Sequence, residues 1–126
     1  MLRIPGPGRI EDRTIDGSCN PYLAATAVLA AGLDGVERRL DPGEPNTENL
    51  YTVPIDELRA RGLEALPATL LEAVGELERD DVLRAALGHG RDEDVVDWIA
   101  AIKRDEWNRY HEQVTDWEVR EYLTRF

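Results

Sequence analysis

Cysteine is nearly absent. The 126-residue sequence holds one, Cys19, so no internal disulfide can form. Neither a Cys-x-x-Cys pair nor two closely spaced histidines exist to hold a structural zinc. Long apolar runs are missing too, since nothing approaches the roughly 18 consecutive apolar residues that a membrane helix needs. Met1-Leu2-Arg3-Ile4-Pro5 also lacks the apolar stretch of a secretory signal. A cytoplasmic chain with neither a membrane nor a nucleic acid as partner is expected. Positive charge is scarce: Lys+Arg at 15 against Asp+Glu at 26 leaves a net charge of −11, the wrong sign for a nucleic-acid module. What the sequence does have is Leu, Ile, Val and Ala enough, within 42% hydrophobic residues, to bury the core of one modest domain or part of a larger one.

Charge is unevenly spread. Residues 1–40 carry five basic residues and five acidic ones, so the whole acidic excess lies beyond residue 40. Gly6-Pro7-Gly8 reads as a turn, and Arg9 to Ile15 as a strand. Asn20 is a good N-cap and Pro21 suits the first helical position, which starts a helix over about 21–40. Leu29, Leu33, Val36 and Leu40 recur along it at helical spacing and predict one buried stripe, ended by Asp41-Pro42-Gly43. Pro42, Pro45 and Pro54 make 41–56 an exposed loop. A helical tail over about 69–126 follows.

Its first helix is opened by the capping box Thr69-Leu70-Leu71-Glu72. A short helix with Val82, Leu83, Ala86 and Leu87 is stopped by Gly88 and Gly90. The next carries Val95, Ile99, Ile102 and Glu106 along one side, flanked by Trp98 and Lys103. A second capping box, Thr115-Asp116-Trp117-Glu118, opens a last short helix with Val119, Tyr122 and Leu123. One strand before a mostly helical chain leaves its backbone groups unpaired, which predicts the end of a larger α+β protein.

Side chains alternate across a strand, so Arg9, Glu11 and Arg13 project from one side in the order plus, minus, plus. A carboxylate of this kind suits a hard cation such as Mg²⁺ or Mn²⁺, and flanking guanidinium groups suit phosphate or carboxylate oxygens. The same triplet also fits a solvated edge strand whose charges compensate one another.

The text that follows weighs between them: Asp16, Asn20-Pro21-Tyr22-Leu23-Ala24-Ala25, Ala31-Gly32-Leu33-Asp34-Gly35-Val36, Pro42-Gly43-Glu44 and Glu48-Asn49-Leu50-Tyr51. With Arg9-Ile10-Glu11-x-Arg13, this ordered series closely resembles the C-terminal part of the glutamine synthetase catalytic domain, across essentially all 126 residues. The wording is most similar to the bacterial group called type III, which includes enzymes that make γ-glutamylmethylamide.

The resemblance implies that Glu11 is a divalent-metal ligand, that Arg9 contacts the ATP phosphates, and that Arg13 contacts glutamate and the transferred phosphoryl group. It implies a reaction in which ATP phosphorylates the γ-carboxylate of glutamate and ammonia or a small amine displaces the phosphate. It also implies a homo-oligomeric ring in which most of the substrate and metal ligands come from sequence not present here. Asp12 stands where many members carry an apolar or aromatic residue, which implies a different setting behind the strand or a subgroup preference. Tyr51 lies where some bacterial members carry the adenylylated tyrosine, but Thr52 replaces the acidic residue often found next.

Other residues are given ordinary roles. Cys19 is expected to pack at the start of the first helix, and His89 and His111 to be structural or exposed. Six of the eight aromatics fall in the last thirty or so residues (Trp98, Trp107, Tyr110, Trp117, Tyr122 and Phe126), more than a small helix pair buries alone. The leading expectation is a C-terminal piece of an ATP-dependent ligase, inactive by itself. The alternatives are a γ-glutamylmethylamide synthetase, a stand-alone helical module that binds synthetase subunits, and an acidic helical domain without retained activity.

Overall fold

Pro7 and Gly8 reverse the chain in two residues, turning the leading segment into a hairpin where sequence reading expected a lone strand. The computed structural model describes residues 2–123 and 125. Strand β1 (Leu2–Gly6) pairs antiparallel with β2 (Arg9–Asp12). Gly8 has φ 71°, a value that a residue without Cβ adopts freely, directly after the proline whose ring sets the first turn position. The register runs Gly6↔Arg9 at the turn but Arg3↔Glu11 and Leu2↔Asp12 beyond it, so β1 carries one extra residue. Pro5 lies within that irregular stretch and has no N–H to give to a ladder, the usual setting of a bulge.

The strand expected over 9–15 ends at Asp12. The Asp12 carboxylate accepts from the N–H of Thr14 at 2.9 Å and from its hydroxyl at 2.7 Å, which bends the chain out of extension. Asp16 repeats the device with Ser18, both bonds at 2.7 Å. Asn20 then caps α1 (Pro21–Glu37), accepting from the N–H groups of Tyr22 and Leu23. Three local clamps thus carry the chain from sheet to helix.

Helix α1 ends at Glu37, before Asp41-Pro42-Gly43. The Leu40 N–H donates to the Gly35 carbonyl at 2.9 Å and the Arg39 N–H to that of Val36 at 3.1 Å, with Arg39 at φ 52°. This closure satisfies carbonyls at the helix end and stops propagation. The 41–56 segment is not all loop: it holds a 3-10 turn (Leu50–Thr52), and α2 (Ile55–Ala60) begins within it. Beyond lie α3 (Leu70–Arg79), α4 (Asp81–Leu87), α5 (Val95–His111) and α6 (Asp116–Tyr122). Both capping boxes form with reciprocal bonds, Thr69 with Glu72 and Thr115 with Glu118. Gly88, at φ 69°, closes α4.

The protein is mostly helical, with one small two-stranded sheet. Helix α3 packs on α5 and α1 on α4, with α4 also touching α3 and α5. Among the described residues the buried apolar side chains are Val74 of α3 with Val96 and Ala100 of α5. The buried row on α5 is therefore displaced from the expected one, and Ile102 is 41% exposed.

The α1 stripe is overturned more fully: Leu29, Leu33, Val36 and Leu40 are all exposed. The half-buried positions of α1 are mainly small, Ala24, Ala27, Ala30 and Gly35 among them, and small residues suit close approach of a short helix such as α4. The accessible surface is 10875 Å², whereas a compact monomer of 14.2 kDa exposes about 6,800 Å². The helices thus form an open shell with an unpartnered apolar face. Trp98, Tyr110, Trp117 and Tyr122 are likewise exposed, and Phe126 lies outside the described residues.

Candidate functional site

The hairpin presents Glu11 between two arginines. Its Oε2 lies 3.5 Å from Nη1 of Arg3 across the sheet, and its Oε1 lies 3.4 Å from Nε of Arg13, two residues on. The carboxylate side chain is 38% exposed, and both contacts are long for ion pairs. Exposed pairs of this length are weak and easily exchanged for another partner. Arg13 lies just past the end of β2, where the Asp12 clamp on Thr14 fixes the bend that brings its guanidinium back toward Glu11.

Of the triplet expected to act together, the structure joins Glu11 and Arg13. Arg9 stands at the turn opposite Gly6 and makes no ion pair among the described residues. Arg3, which sequence reading passed over, joins them instead. The signal was the alternation Leu2-Arg3-Ile4 ahead of a Pro-Gly turn, which Pro5 obscures.

Asp12 is committed elsewhere. The Thr14 hydroxyl, and then the Thr14 N–H, hold its carboxyl below the usual carboxylate range. The Ser18 N–H and hydroxyl do the same for Asp16. Neither is a spare base. Glu11 is then the carboxylate of the hairpin with oxygens free enough to take a cation, and its hard oxygen donors fit Mg²⁺ or Mn²⁺. It is one ligand and not a set, because no group of three His, Cys, Asp or Glu side chains that could hold a metal occurs among the described residues.

Two open grooves lie away from the hairpin. One runs between α1, α3 and α4, lined by Asp34, Arg38, Glu76, Leu77 and Leu83 among others, and the second lies near Leu63 and Leu66. Neither includes Arg9, Glu11 or Arg13; on the hairpin Arg9 and Arg13 are exposed and Glu11 is half-buried.

Tyr51 is 93% exposed, in a turn whose Asn49 cap accepts the Tyr51 N–H at 3.2 Å. Arg61 pairs with Glu48 and Glu57 and ties that turn to α2. Cys19, expected to pack at the start of the first helix, is exposed there, one residue before the Asn20 cap. His89 contacts Asp94 at 3.3 Å, and His111 stacks on Trp107 with ring centroids 3.9 Å apart. No helix among the described residues is long and apolar enough to cross a membrane.

Comparison with known proteins places the chain in a family. The model for the glutamine synthetase catalytic domain matches residues 1–122. The glutamate–methylamine ligase of Methyloversatilis universalis is 49% identical over 126 residues, covering 100% of this chain and 27% of that protein. The glutamine synthetases of Methanococcus maripaludis and Thermus thermophilus are 43% and 42% identical, covering 98% and 100% of this chain and 28% of each relative. A solved structure described as apo GmaS without ligand superposes with a TM-score of 0.77 at 42% identity, over 98% of this chain and 27% of the other. The chain thus spans little more than a quarter of the length of these relatives. The family model covers nearly the whole chain, and the chain belongs to the glutamine synthetase catalytic-domain family.

Proposed function

We propose that this chain supplies one wall of the active site of an ATP-dependent ligase that joins ammonia or a small amine to the γ-carboxylate of glutamate through γ-glutamyl phosphate. The observation that carries the reading is the charged hairpin, with Glu11 held between Arg3 and Arg13 and with Arg9 at its turn, in a chain of this family. Glu11 would hold Mg²⁺ or Mn²⁺ as one of its ligands. The cation would supply charge neutralisation for the phosphate oxygens.

Arg9 meets the ATP phosphates, and Arg13 holds glutamate and the phosphoryl group as it moves. Both tasks need fixed positive charge aimed at oxygens that gain charge during transfer. One carboxylate and its arginines cannot hold two substrates and ATP, so the reading requires further ligands from outside this chain, within a homo-oligomeric ring in the cytoplasm, and the chain alone is inactive. Tyr51, on its exposed turn, is open to a modifying enzyme in the same scheme.

The amine acceptor is either ammonia or methylamine. The 49% identity to a glutamate–methylamine ligase favours methylamine as the second reading. Phosphate release by the intact protein, with ATP, glutamate and each amine in turn, separates the two. Turnover with ammonia supports a glutamine synthetase, and a strong preference for methylamine supports a γ-glutamylmethylamide synthetase. No amine-dependent phosphate release sinks the proposal.

A further inference from the structure

The bulge in β1 decides which residue faces Glu11. If the turn register Gly6↔Arg9 continued unbroken, Ile4 would stand opposite Glu11. The extra residue in β1 puts Arg3 there instead, with its Nη1 3.5 Å from Glu11 Oε2. Arg13 approaches the other oxygen at 3.4 Å. The carboxylate is therefore bracketed, one oxygen to each guanidinium, by the neighbouring strand and by the turn after its own strand.

We infer that Arg3 is a positioning residue for Glu11. It acts as a cationic placeholder that keeps the carboxylate on this face of the hairpin and competes with a divalent cation for the same oxygen. This rests on the reading of Glu11 as a metal ligand. The geometry suits exchange and not a lock. At 3.5 Å, with Arg3 57% and Glu11 38% exposed, the pair is close enough to orient the carboxylate but too weak to refuse a doubly charged ion. Arrival of the cation would repel the guanidinium from Oε2. Ile4 in the same register could neither orient Glu11 nor compete for it, so the irregularity near Pro5 has a chemical consequence at the site.

The test is a titration of Mn²⁺ alone into the intact protein without nucleotide, with free Mn²⁺ followed by electron paramagnetic resonance. Arg3→Gln should tighten the dissociation constant roughly three- to tenfold at low salt. Arg3→Lys, which keeps the charge, should shift it less. The difference between Arg3→Gln and wild type should close at about 0.5 M salt, where screening removes the competition. Glu11→Gln should weaken Mn²⁺ binding, and Arg3→Gln should add little in that background, which separates a paired effect from a general change in charge. Equal or weaker binding by Arg3→Gln, while Glu11→Gln still weakens it, overturns the role of Arg3 and leaves Glu11 a ligand. Unchanged binding by Glu11→Gln, or no binding by wild type, overturns both.

Discussion

The Arg84 guanidinium reaches from α4 to the carboxylate of Asp94, the N-cap of α5, at 2.8 Å. The same nitrogen lies 2.9 Å from Asp97 in the first turn of that helix. Asp94 also accepts from the N–H groups of Val96 and Asp97, at 2.9 and 3.3 Å. One carboxylate thus starts α5 and joins it to α4, directly beside the buried Val96.

Asp94→Ala should lower the thermal midpoint of the intact protein by about 2 °C, because it removes a cap and an interhelical partner together. Asp94→Asn, which keeps the cap oxygen, should recover most of that loss. Calorimetry checks both, and an unchanged midpoint in Asp94→Ala would show that α5 is held by its apolar face alone.

Acid should loosen α6. The Thr115 N–H and then its hydroxyl, at 2.7 and 2.9 Å, hold the Glu118 carboxyl below its ordinary value of 4.5. A carboxyl with a lowered folded pKa contributes stability that is fully present above its unfolded value and is lost as pH falls through the folded one. Fraying should therefore begin below about pH 4.5. Trp117 sits on α6, edge-on to Tyr122 with ring centroids 5.8 Å apart, and reports it by fluorescence once Trp98 and Trp107 are replaced by Phe. Glu118→Gln keeps an acceptor for the box and should flatten this low-pH change. An identical acid profile in that variant would remove Glu118 as its source.

Arg39 ends α1 in a left-handed conformation, at φ 52°, where a Cβ is unfavourable. Arg39→Gly should stabilise the protein by about 0.5–1 kcal/mol. The Arg39 and Leu40 N–H bonds back to Val36 and Gly35 are backbone bonds and survive the change. A lower urea midpoint would instead mean that the Arg39 side chain makes a contact worth more than the strain.

Signals contained within a few residues were legible in the sequence. Asn20-Pro21, Thr69 with Glu72 and Thr115 with Glu118 start helices through bonds that the local chain itself supplies, and each forms. Signals that depend on a distant partner were not. Strand β1 was missed because Pro5 breaks its alternation, and Arg3 was missed with it, since only the bulged register brings it to Glu11. The α1 stripe was legible as apolar, but periodicity says which residues share a face and not what that face meets. Leu29, Leu33 and Val36 are therefore exposed here. Arg9 shows the same limit, because alternation placed it on the face of Glu11 but did not say that it stands at the turn opposite Gly6.

Glu11 and Arg13 carry the chemical reading. On the proposed ligase function, Glu11→Gln in the intact protein should leave its assembly state unchanged, raise the Mn²⁺ or Mg²⁺ requirement and reduce turnover at least about a hundredfold, because the amide keeps the size but loses the charge that holds a hard cation. Arg13→Lys should raise the apparent glutamate requirement, since a point charge cannot replace a planar two-pronged grip on a carboxylate. Steady-state kinetics against metal and glutamate separate the two. Unchanged metal dependence removes Glu11 from the site, and unchanged glutamate dependence removes Arg13.

Residues 1–126 expressed alone should associate and show no ATP-dependent ligase activity. The chain exposes 10875 Å² where a compact monomer of 14.2 kDa would expose about 6,800 Å². Part of the excess is apolar: Leu29, Leu33 and Val36 on α1, and Trp98, Trp117 and Tyr122 on α5 and α6. The hairpin adds its outer edges, which remain open to another strand even though β1 and β2 pair with each other. A net charge of −11 opposes unlimited aggregation, so soluble oligomers are expected over precipitate. Size-exclusion chromatography with light scattering gives the mass, and near-ultraviolet circular dichroism reads the packing of the three tryptophans. A monomer with sharp tryptophan bands would show that the shell is stable without a covering partner, and would favour an autonomous binding module over one wall of a ligase.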